Sequence, residues 1–440
     1  MAVEHVPDVG RSALRKAGWR LLPLIALGYG ISYIDRSNIS FAALQMNQDL
    51  RFSAAVYGLG AGLFFLSYAL FEVPSNLLLV RFGARRWISR IMLTWGVLAA
   101  AMMLVRTPWQ FYSMRFLLGL AEAGFFPGVV YYLGQWFPPS ERARAISRFY
   151  VAVPLSGVVT GVIAGGLLGL DGRLGLRGWQ WLFLVEGLPA VLLGVAILVL
   201  LPDRPADARW LTPGEKAWMQ AHADEELASH GGPGRRTVVS ALFDPVVLQF
   251  AAVNALMLGA YYAFTLSGPV MLKAVTGLGA TGVGDLVAGA SLFGAACMVV
   301  TSWSSDRLRE RHLHLAGSLL LVAAGYAAMS VTHSPPLFVA AYVLTIGASM
   351  AAAPILWPPV SESVHPAAVA VSLAAVNCVG QTGSFVATTL WGWAHDRTGG
   401  YGAGMTALPL CYLAAVAILL GLRAQHHARW RAKLALAAAG

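Results

Sequence analysis

Twelve apolar runs punctuate the chain, at roughly 21–44, 54–80, 87–105, 109–135, 146–169, 179–201, 245–272, 281–303, 313–332, 336–356, 368–393 and 404–423. A helix crosses the hydrocarbon of a bilayer in about 20 residues. Inside lipid every backbone polar group must be bonded within its own element. Runs of this length therefore predict twelve transmembrane helices and an all-α membrane protein. A soluble core could not absorb so much apolar sequence: 57% of the 440 residues are hydrophobic and 12% are charged, against about 25% charged in soluble domains. The runs fall into two sets of six. The expected organisation is an N-terminal segment 1–20, a six-helix half 21–201, a linker 202–243, a second six-helix half 244–423 and a tail 424–440.

The net charge of +10 is distributed as membrane topology requires. With the N-terminus placed in the cytoplasm, 23 Lys and Arg fall in cytoplasmic loops and tails and six on the opposite side. Arg36 and Arg115 are the remaining two, inside spans. This asymmetry puts both termini in the cytoplasm. It also argues against nucleic acid as a partner, because the charge sits in short loops rather than along one groove. The first run is no signal peptide: it continues through Asp35-Arg36 to about Leu44, and no small-residue cleavage site ends it. Cys297, Cys378 and Cys411 all lie in apolar runs, and no histidines pair at metal-ligand spacing within a span. Neither a disulfide, a metal site nor a cofactor is expected. The excess of Arg over Lys and the abundance of Ala and Gly point to a GC-rich bacterium and its inner membrane.

The fourth run carries two charges in its interior, Arg115 and Glu122, in Arg115-Phe-Leu-Leu-Gly-Leu-Ala-Glu-Ala-Gly124. A charge at the centre of a span costs roughly 2.5–3.5 kcal/mol on insertion scales. Two helical turns separate the pair, so both face one way. Opposite charges on one face look into a bundle or a watery cavity. They serve there either as a structural ion pair or as a site for a charged solute beside an acid that gains and loses a proton.

The two halves echo each other. Arg81-Phe-Gly-Ala-Arg-Arg86 follows the second span and Asp306-Arg-Leu-Arg-Glu-Arg311 the eighth. Trp136-Phe-Pro-Pro-Ser-Glu141 follows the fourth and Trp357-Pro-Pro-Val-Ser-Glu362 the tenth. Duplicated six-helix bundles are a transporter architecture, with the solute site near the midplane between the repeats. In the linker, Thr212 and Glu215 form a capping box with Pro213 at the first helical position.

On these features the chain resembles the major facilitator superfamily over nearly its whole length. Within it the chain resembles the anion:cation symporter branch. That likeness is carried by Tyr33-Ile-Asp-Arg-Ser-Asn38, Glu72-Val-Pro-Ser-Asn76, Arg115 through Gly124, and Gly178-Trp-Gln-Trp-Leu-Phe-Leu-Val-Glu-Gly-Leu-Pro189. The resemblance implies import of a small organic anion such as tartrate, phthalate, hydroxyphenylacetate or a sugar acid, driven by protons. It implies that Arg36 and Arg115 hold the substrate carboxylate, that Asp35 and Glu122 carry protons, and that Tyr33, Tyr68 and Asn377 line the cavity. Two departures stand out. Val80 replaces the acid usual before Arg81, which implies a weaker charge lock in the first half. The apolar Val153-Pro154 stands where sugar-acid members use a glutamine, which tilts the expected substrate towards an aromatic acid or a short dicarboxylate.

The physics of these residues fits that expectation. Arginine stays charged and presents a planar fork to a carboxylate. An acid that exchanges its arginine for a proton when the anion arrives makes proton and anion favour each other's binding. Other marked residues have plainer readings: Glu72 as an ion pair or cap near the basic loops, Glu186 as packing, Asp285 as a surface residue at a helix start, Tyr261-Tyr262 as packing or as a platform for an aromatic substrate, and Pro354, Pro358 and Pro359 as a kink ending the tenth span. An exchanger or a sugar-acid carrier is the alternative within transport. A membrane-embedded enzyme or a sensor would need a catalytic set or an output domain, and the sequence has neither. The expected partners are the anion, protons and the lipid bilayer, with the chain acting as a monomer.

Overall fold

The computed structural model describes residues 7–138, 141, 142, 145, 149, 151–229, 242–364 and 368–439. The described elements are helical throughout: α1 (Asp8–Asp49), α2 (Ala54–Phe82), α3 (Ala84–Ala101), α4 (Pro108–Glu122), α5 (Phe125–Gly134), α6 (Ala152–Leu168), α7 (Gly178–Leu200) and the linker helix α8 (Pro213–Ser229). The second half holds α9 (Pro245–Thr265), α10 (Gly268–Thr276), α11 (Ala280–Leu308), α12 (Arg311–Val331), α13 (Pro335–Ile355), α14 (Trp357–Ser363), α15 (Val369–Thr398) and α16 (Gly402–Ala439). Among the described residues, nine helical stretches are long and apolar enough to cross a membrane. The first, fifth and eleventh expected runs fall on α1, α6 and α15, which are not among the nine.

Two expected runs are each built from two helices, and a third is followed directly by a second helix. The fourth breaks between α4 and α5, immediately after Glu122, because Gly124 adopts φ 84°, a left-handed conformation that costs glycine little. Pro127 then sits in the first turn of α5, where its missing N–H has no intrahelical role. The seventh breaks at Leu266-Ser267, with Pro269 opening α10. The tenth breaks at Leu356, between the prolines expected to kink it. The N-terminal segment runs without interruption into the first span from Asp8 onward, and Pro23 lies inside that helix.

Helices α2 and α15 pack along one seam between the halves, and α6 and α11 along another. The seams are closest at the end of the bundle opposite the basic loops. There a Cβ on Gly161 would stand 2.5 Å from the Gly284 carbonyl oxygen, and one on Gly62 would stand 2.7 Å from Thr388 Oγ1. Small residues permit this approach of backbones, which is how helices associate in lipid. At the same end Tyr57 donates its hydroxyl to the carbonyls of Leu266 (2.8 Å) and Ile39 (3.3 Å), joining α2, the α9–α10 break and α1.

The basic end is tied by charges. In the first half, where Val80 offers no acid, Asp203 after α7 accepts the Arg85 backbone N–H at 2.8 Å and lies 3.9 Å from its guanidinium. The lock is therefore supplied from the start of the linker. In the second half Arg311 pairs with both Asp306 (3.5 Å) and Glu362 (3.3 Å), so the two echoed motifs meet there. Pro139 and Ser140 of the first echo lie outside the described residues. The linker's capping box is formed: Glu215 Oε2 accepts the Thr212 N–H (2.8 Å) and Thr212 Oγ1 accepts the Glu215 N–H (3.3 Å). Residues 230–241 of that linker are likewise outside the described set.

Candidate functional site

Asp35 and Arg36 are neighbours on α1, about 100° apart around the helix, and they enter different surroundings. Arg36 reaches α4. Its Nη2 lies 2.6 Å from Glu122 Oε1, and its Nε donates to the same oxygen at 2.8 Å. The other oxygen, Glu122 Oε2, has no hydrogen-bond partner. Three rings surround the guanidinium: its Cζ is 4.8 Å from the centroid of Tyr68 and 5.5 Å from those of Tyr33 and Phe64. Arg36 and Glu122 are both buried, so their contact geometry has to offset the cost of desolvating two charges.

Asp35 turns the other way. Its Oδ2 accepts the indole N–H of Trp95 on α3 (2.9 Å), and its Oδ1 accepts an amide N–H of Asn38 (3.2 Å). The positive charge acting on it most is Arg115 of α4. Arg115 is 1% exposed. It lies 4.8 Å from the Phe64 ring, donates to the Ala61 carbonyl at 3.4 Å, and leaves its Nε without a partner.

A cavity of about 150 Å³ opens between the halves beside Arg36. The first half contributes Tyr29, Tyr33, Arg36 and Tyr68, and the second contributes Tyr261, Tyr262, Asn377 and Gln381 among others. Of the expected site residues, Tyr33, Arg36, Tyr68 and Asn377 therefore face one space. Glu122 reaches that space through Arg36. Asp35 and Arg115 lie outside its wall, Asp35 behind α1 and Arg115 behind Phe64. Val153 and Pro154 do line the cavity, so the wall there is apolar, as the sequence suggested. Arg36 is the one cation among the described lining residues.

Two features were not anticipated. Glu72 makes no described ion pair with the basic loops; instead Asn377 of the other half donates to both its oxygens, at 2.8 and 3.0 Å. A buried acid facing a seam between repeats finds its partner across the seam, and nothing in the spacing of either residue announces this. Gln381 lies one helical turn beyond Asn377 and shares its face, which was the available signal. Its amide oxygen has no partner.

A second cavity of about 220 Å³ lies at the opposite end, lined by Tyr57, Trp391, His395 and Tyr401 among others. Arg115, bonded to the Ala61 carbonyl, stands behind the wall of that cavity, which Ala61 lines.

The fold and site define a duplicated helical membrane protein that encloses a charged, aromatic-lined solute cavity between its halves. Comparison with known proteins narrows this. The Major Facilitator Superfamily profile matches residues 25–388, and the chain belongs to that superfamily. A protein of Agrobacterium vitis, provisionally named a tartrate transporter, is 42% identical over 399 residues, covering 90% of this chain and 88% of the relative. A quinolone resistance transporter of Acinetobacter baumannii is 36% identical, covering 94% of each chain. The solved inward-open structure of the xylose transporter XylE from E. coli shares the fold, with a TM-score of 0.73 at 15% identity over 92% of this chain and 96% of that one. The protein is a transporter rather than an enzyme, and it is a multi-pass protein of a bacterial inner membrane.

Proposed function

We propose that the protein imports a small organic anion together with protons by alternating access, with twelve spans and both termini in the cytoplasm. The observation that carries this reading is the Arg36–Glu122 pair at the cavity wall, in which one oxygen of Glu122 occupies the guanidinium and the other is unpartnered. An incoming carboxylate competes for the same fork. When it takes Arg36, Glu122 is left as a buried anion without a partner, a state so costly that the group takes up a proton instead. Anion and proton then promote each other's binding. Tyr33, Tyr68 and Asn377 shape the site, while Arg115 balances Asp35 behind it and Asp35 is the second proton-carrying acid. Rocking of the halves on the α2–α15 and α6–α11 seams exposes the cavity to either side.

The wall favours an aromatic acid. One cation suits one carboxylate, and six tyrosines offer faces and edges to a ring. A cavity of about 150 Å³ is the size that one benzene ring fills in an engineered protein core. A short dicarboxylate is the second reading, favoured by the relative named for tartrate.

The test is uptake into proteoliposomes under an inward proton gradient, across aromatic, dicarboxylic and sugar acids. Accumulation of one acid that collapses with a protonophore is expected. Glu122→Gln should abolish accumulation yet retain exchange of preloaded acid. Exchange without accumulation in the wild type would replace symport by antiport, and intact proton-driven uptake in Glu122→Gln would remove Glu122 from the coupling.

A further inference from the structure

The turn between α2 and α3, with the first turns of α3, carries Arg81, Arg85, Arg86 and Arg90. Asp203 engages Arg85. Among the described residues no acceptor pairs with the guanidinium of Arg81, Arg86 or Arg90, and Arg90 Nε is buried without a partner. With valine at position 80, Arg81 has no charged neighbour in sequence. The second copy of this loop supplies carboxylates from its own chain: Arg311 is held by Asp306 and Glu362. The first copy leaves three of its four cations open.

Arg90 stands where an open cation is costly. It lies six residues beyond Ala84, about 9 Å along the helix axis. It shares a face of α3 with Arg86, Thr94 and Val97, and Arg86, Thr94 and Val97 are exposed. That face is therefore the outside of the bundle, at the level where headgroups meet hydrocarbon. A cation at that depth calls for an anion. The aromatic setting around it is built. The Trp87 indole N–H donates to Ser75 Oγ at 3.0 Å, and the ring stacks on Phe82 with centroids 5.6 Å and planes 12° apart. Arg90 Cζ lies 4.1 Å from the Trp87 centroid, and Arg81 Cζ lies 5.6 Å from that of Phe82. A ring beneath a guanidinium attracts its charge but leaves its in-plane donors for another partner. Leu70, Leu77 and Leu78, all exposed, share the face of α2 that carries Arg81.

We propose that this turn binds one anionic phospholipid of the leaflet at the basic end, its phosphate held by Arg86 and Arg90 and its acyl chains lying along Leu77, Leu78 and Val97. Arginine forks match phosphate oxygens in pairs, and basic clusters beside a span attract anionic headgroups. The headgroup is anionic rather than zwitterionic, because three open cations favour net negative charge and no described carboxylate at the turn is free to receive an ammonium. The lipid takes the place that Asp306 and Glu362 fill in the second half. The site shares no residue with the central cavity, and it depends neither on the substrate nor on proton coupling.

The experiment is native mass spectrometry of the full-length protein released from nanodiscs of phosphatidylglycerol, phosphatidylethanolamine and phosphatidylcholine, in equal parts and with the same acyl chains. The wild type should retain phosphatidylglycerol in preference to the other two. Arg90→Gln should cut that preference about fivefold, the worth of one arginine near an anionic headgroup. Trp87→Leu keeps every charge and should cut it as well, so it carries the test by itself if Arg90→Gln does not fold. Arg11→Gln removes a charge at the same end, from an arginine already paired with Asp8, and should leave the preference unchanged. Equal retention of the three lipids by the wild type would overturn the proposal. So would an Arg11→Gln loss as large as that of Arg90→Gln, which would assign the preference to net charge. A preference untouched by both Arg90→Gln and Trp87→Leu would place the lipid elsewhere. Preferential retention of phosphatidylethanolamine would overturn the choice of an anionic headgroup.

Discussion

Asp396, near the end of α15, caps the first turn of α2 in the opposite half: its Oδ1 accepts the Ala54 N–H at 3.1 Å and its Oδ2 accepts the Ala55 N–H at 3.0 Å. A helix start leaves its first N–H groups without intrahelical partners, and here the other repeat satisfies two of them. The cap exists only while the halves touch at the end away from the basic loops. Asp396→Ala should therefore favour separation there, by about 0.5–2 kcal/mol as for other cap losses. Spin labels at positions 51 and 397 should report a larger share of long distances in the variant. An unchanged distribution would mean that the seam glycines alone hold this end shut.

Arg36 works through geometry as well as charge. Lysine at this position keeps the charge but loses the fork that reaches Glu122 through Nε and Nη2. Arg36→Lys should weaken anion binding by about tenfold or more, from the roughly 1.5–3 kcal/mol of a charged hydrogen bond, and should approach Arg36→Ala. Titration calorimetry on the purified protein measures this. Wild-type affinity in the lysine variant would show that a point charge is enough.

Gln381 presents an unpartnered amide oxygen on the face of α15 that lines the cavity. A ring hydroxyl on the substrate is the complementary donor. para-Hydroxybenzoate should therefore bind more tightly than benzoate, and Gln381→Leu should erase a preference of about two- to tenfold, the worth of one neutral hydrogen bond of roughly 0.5–1.5 kcal/mol. If the variant weakens both acids equally, Gln381 shapes the wall without reading the ring.

Much of this was legible in the chain. Run lengths, the paired arginine-rich loops and the unequal distribution of Lys and Arg need only composition and spacing, and they give the helical membrane fold directly. The charges of Arg36, Arg115 and Glu122 announced themselves because their burial in lipid is costly. Their partners did not. Residues 35 and 36 are adjacent, yet one faces Trp95 and the other Glu122; which acid meets which arginine depends on how α1, α3 and α4 rotate against one another. The Glu72–Asn377 link joins positions 305 residues apart, beyond any local pattern. The replacement of the missing acid at Val80 by Asp203 likewise depends on where α7 ends. The breaks at Gly124 and Leu356 were partly visible in their Gly and Pro residues, but apolar continuity masked them.

The α6–α11 seam offers a steric test. A Cβ on Gly161 would stand 2.5 Å from the Gly284 carbonyl oxygen and 2.8 Å from the Ala288 nitrogen, both backbone atoms that cannot rotate away. Gly161→Val must part the helices at this level. Transport should fall to near background while the protein remains folded, because the end opposite the basic loops can no longer close. Alkylation of a cysteine placed at Thr281, which flanks the seam next to Gly165, should accelerate in the variant. A fully active Gly161→Val protein would show that this contact opens without cost.

The linker offers a test in pH. Lys16 on α1 bonds Glu215 of α8 at 2.8 Å from Nζ to Oε1 and 2.9 Å to Oε2. This hydrogen bond, with the Thr212 N–H added, pushes the Glu215 carboxyl down to about 2 from its ordinary 4.5. A group held below its unfolded value contributes stability that is complete above that value and is lost as the pH falls towards the folded one. The clamp between α1 and the linker should therefore hold at neutral pH, weaken from about pH 4.5 downward, and be gone near pH 2. Protection of the backbone amides across 213–221 against hydrogen exchange, taken relative to the intrinsic rate at each pH, should fall over that window in the wild type. Glu215→Gln, which cannot ionise, should show low protection at every pH, without the fall seen in the wild type. Equal protection in the two proteins at neutral pH would assign the hold on α8 to apolar packing by Leu211 and Met219, which are buried beside it, and leave the Lys16 pair without mechanical consequence.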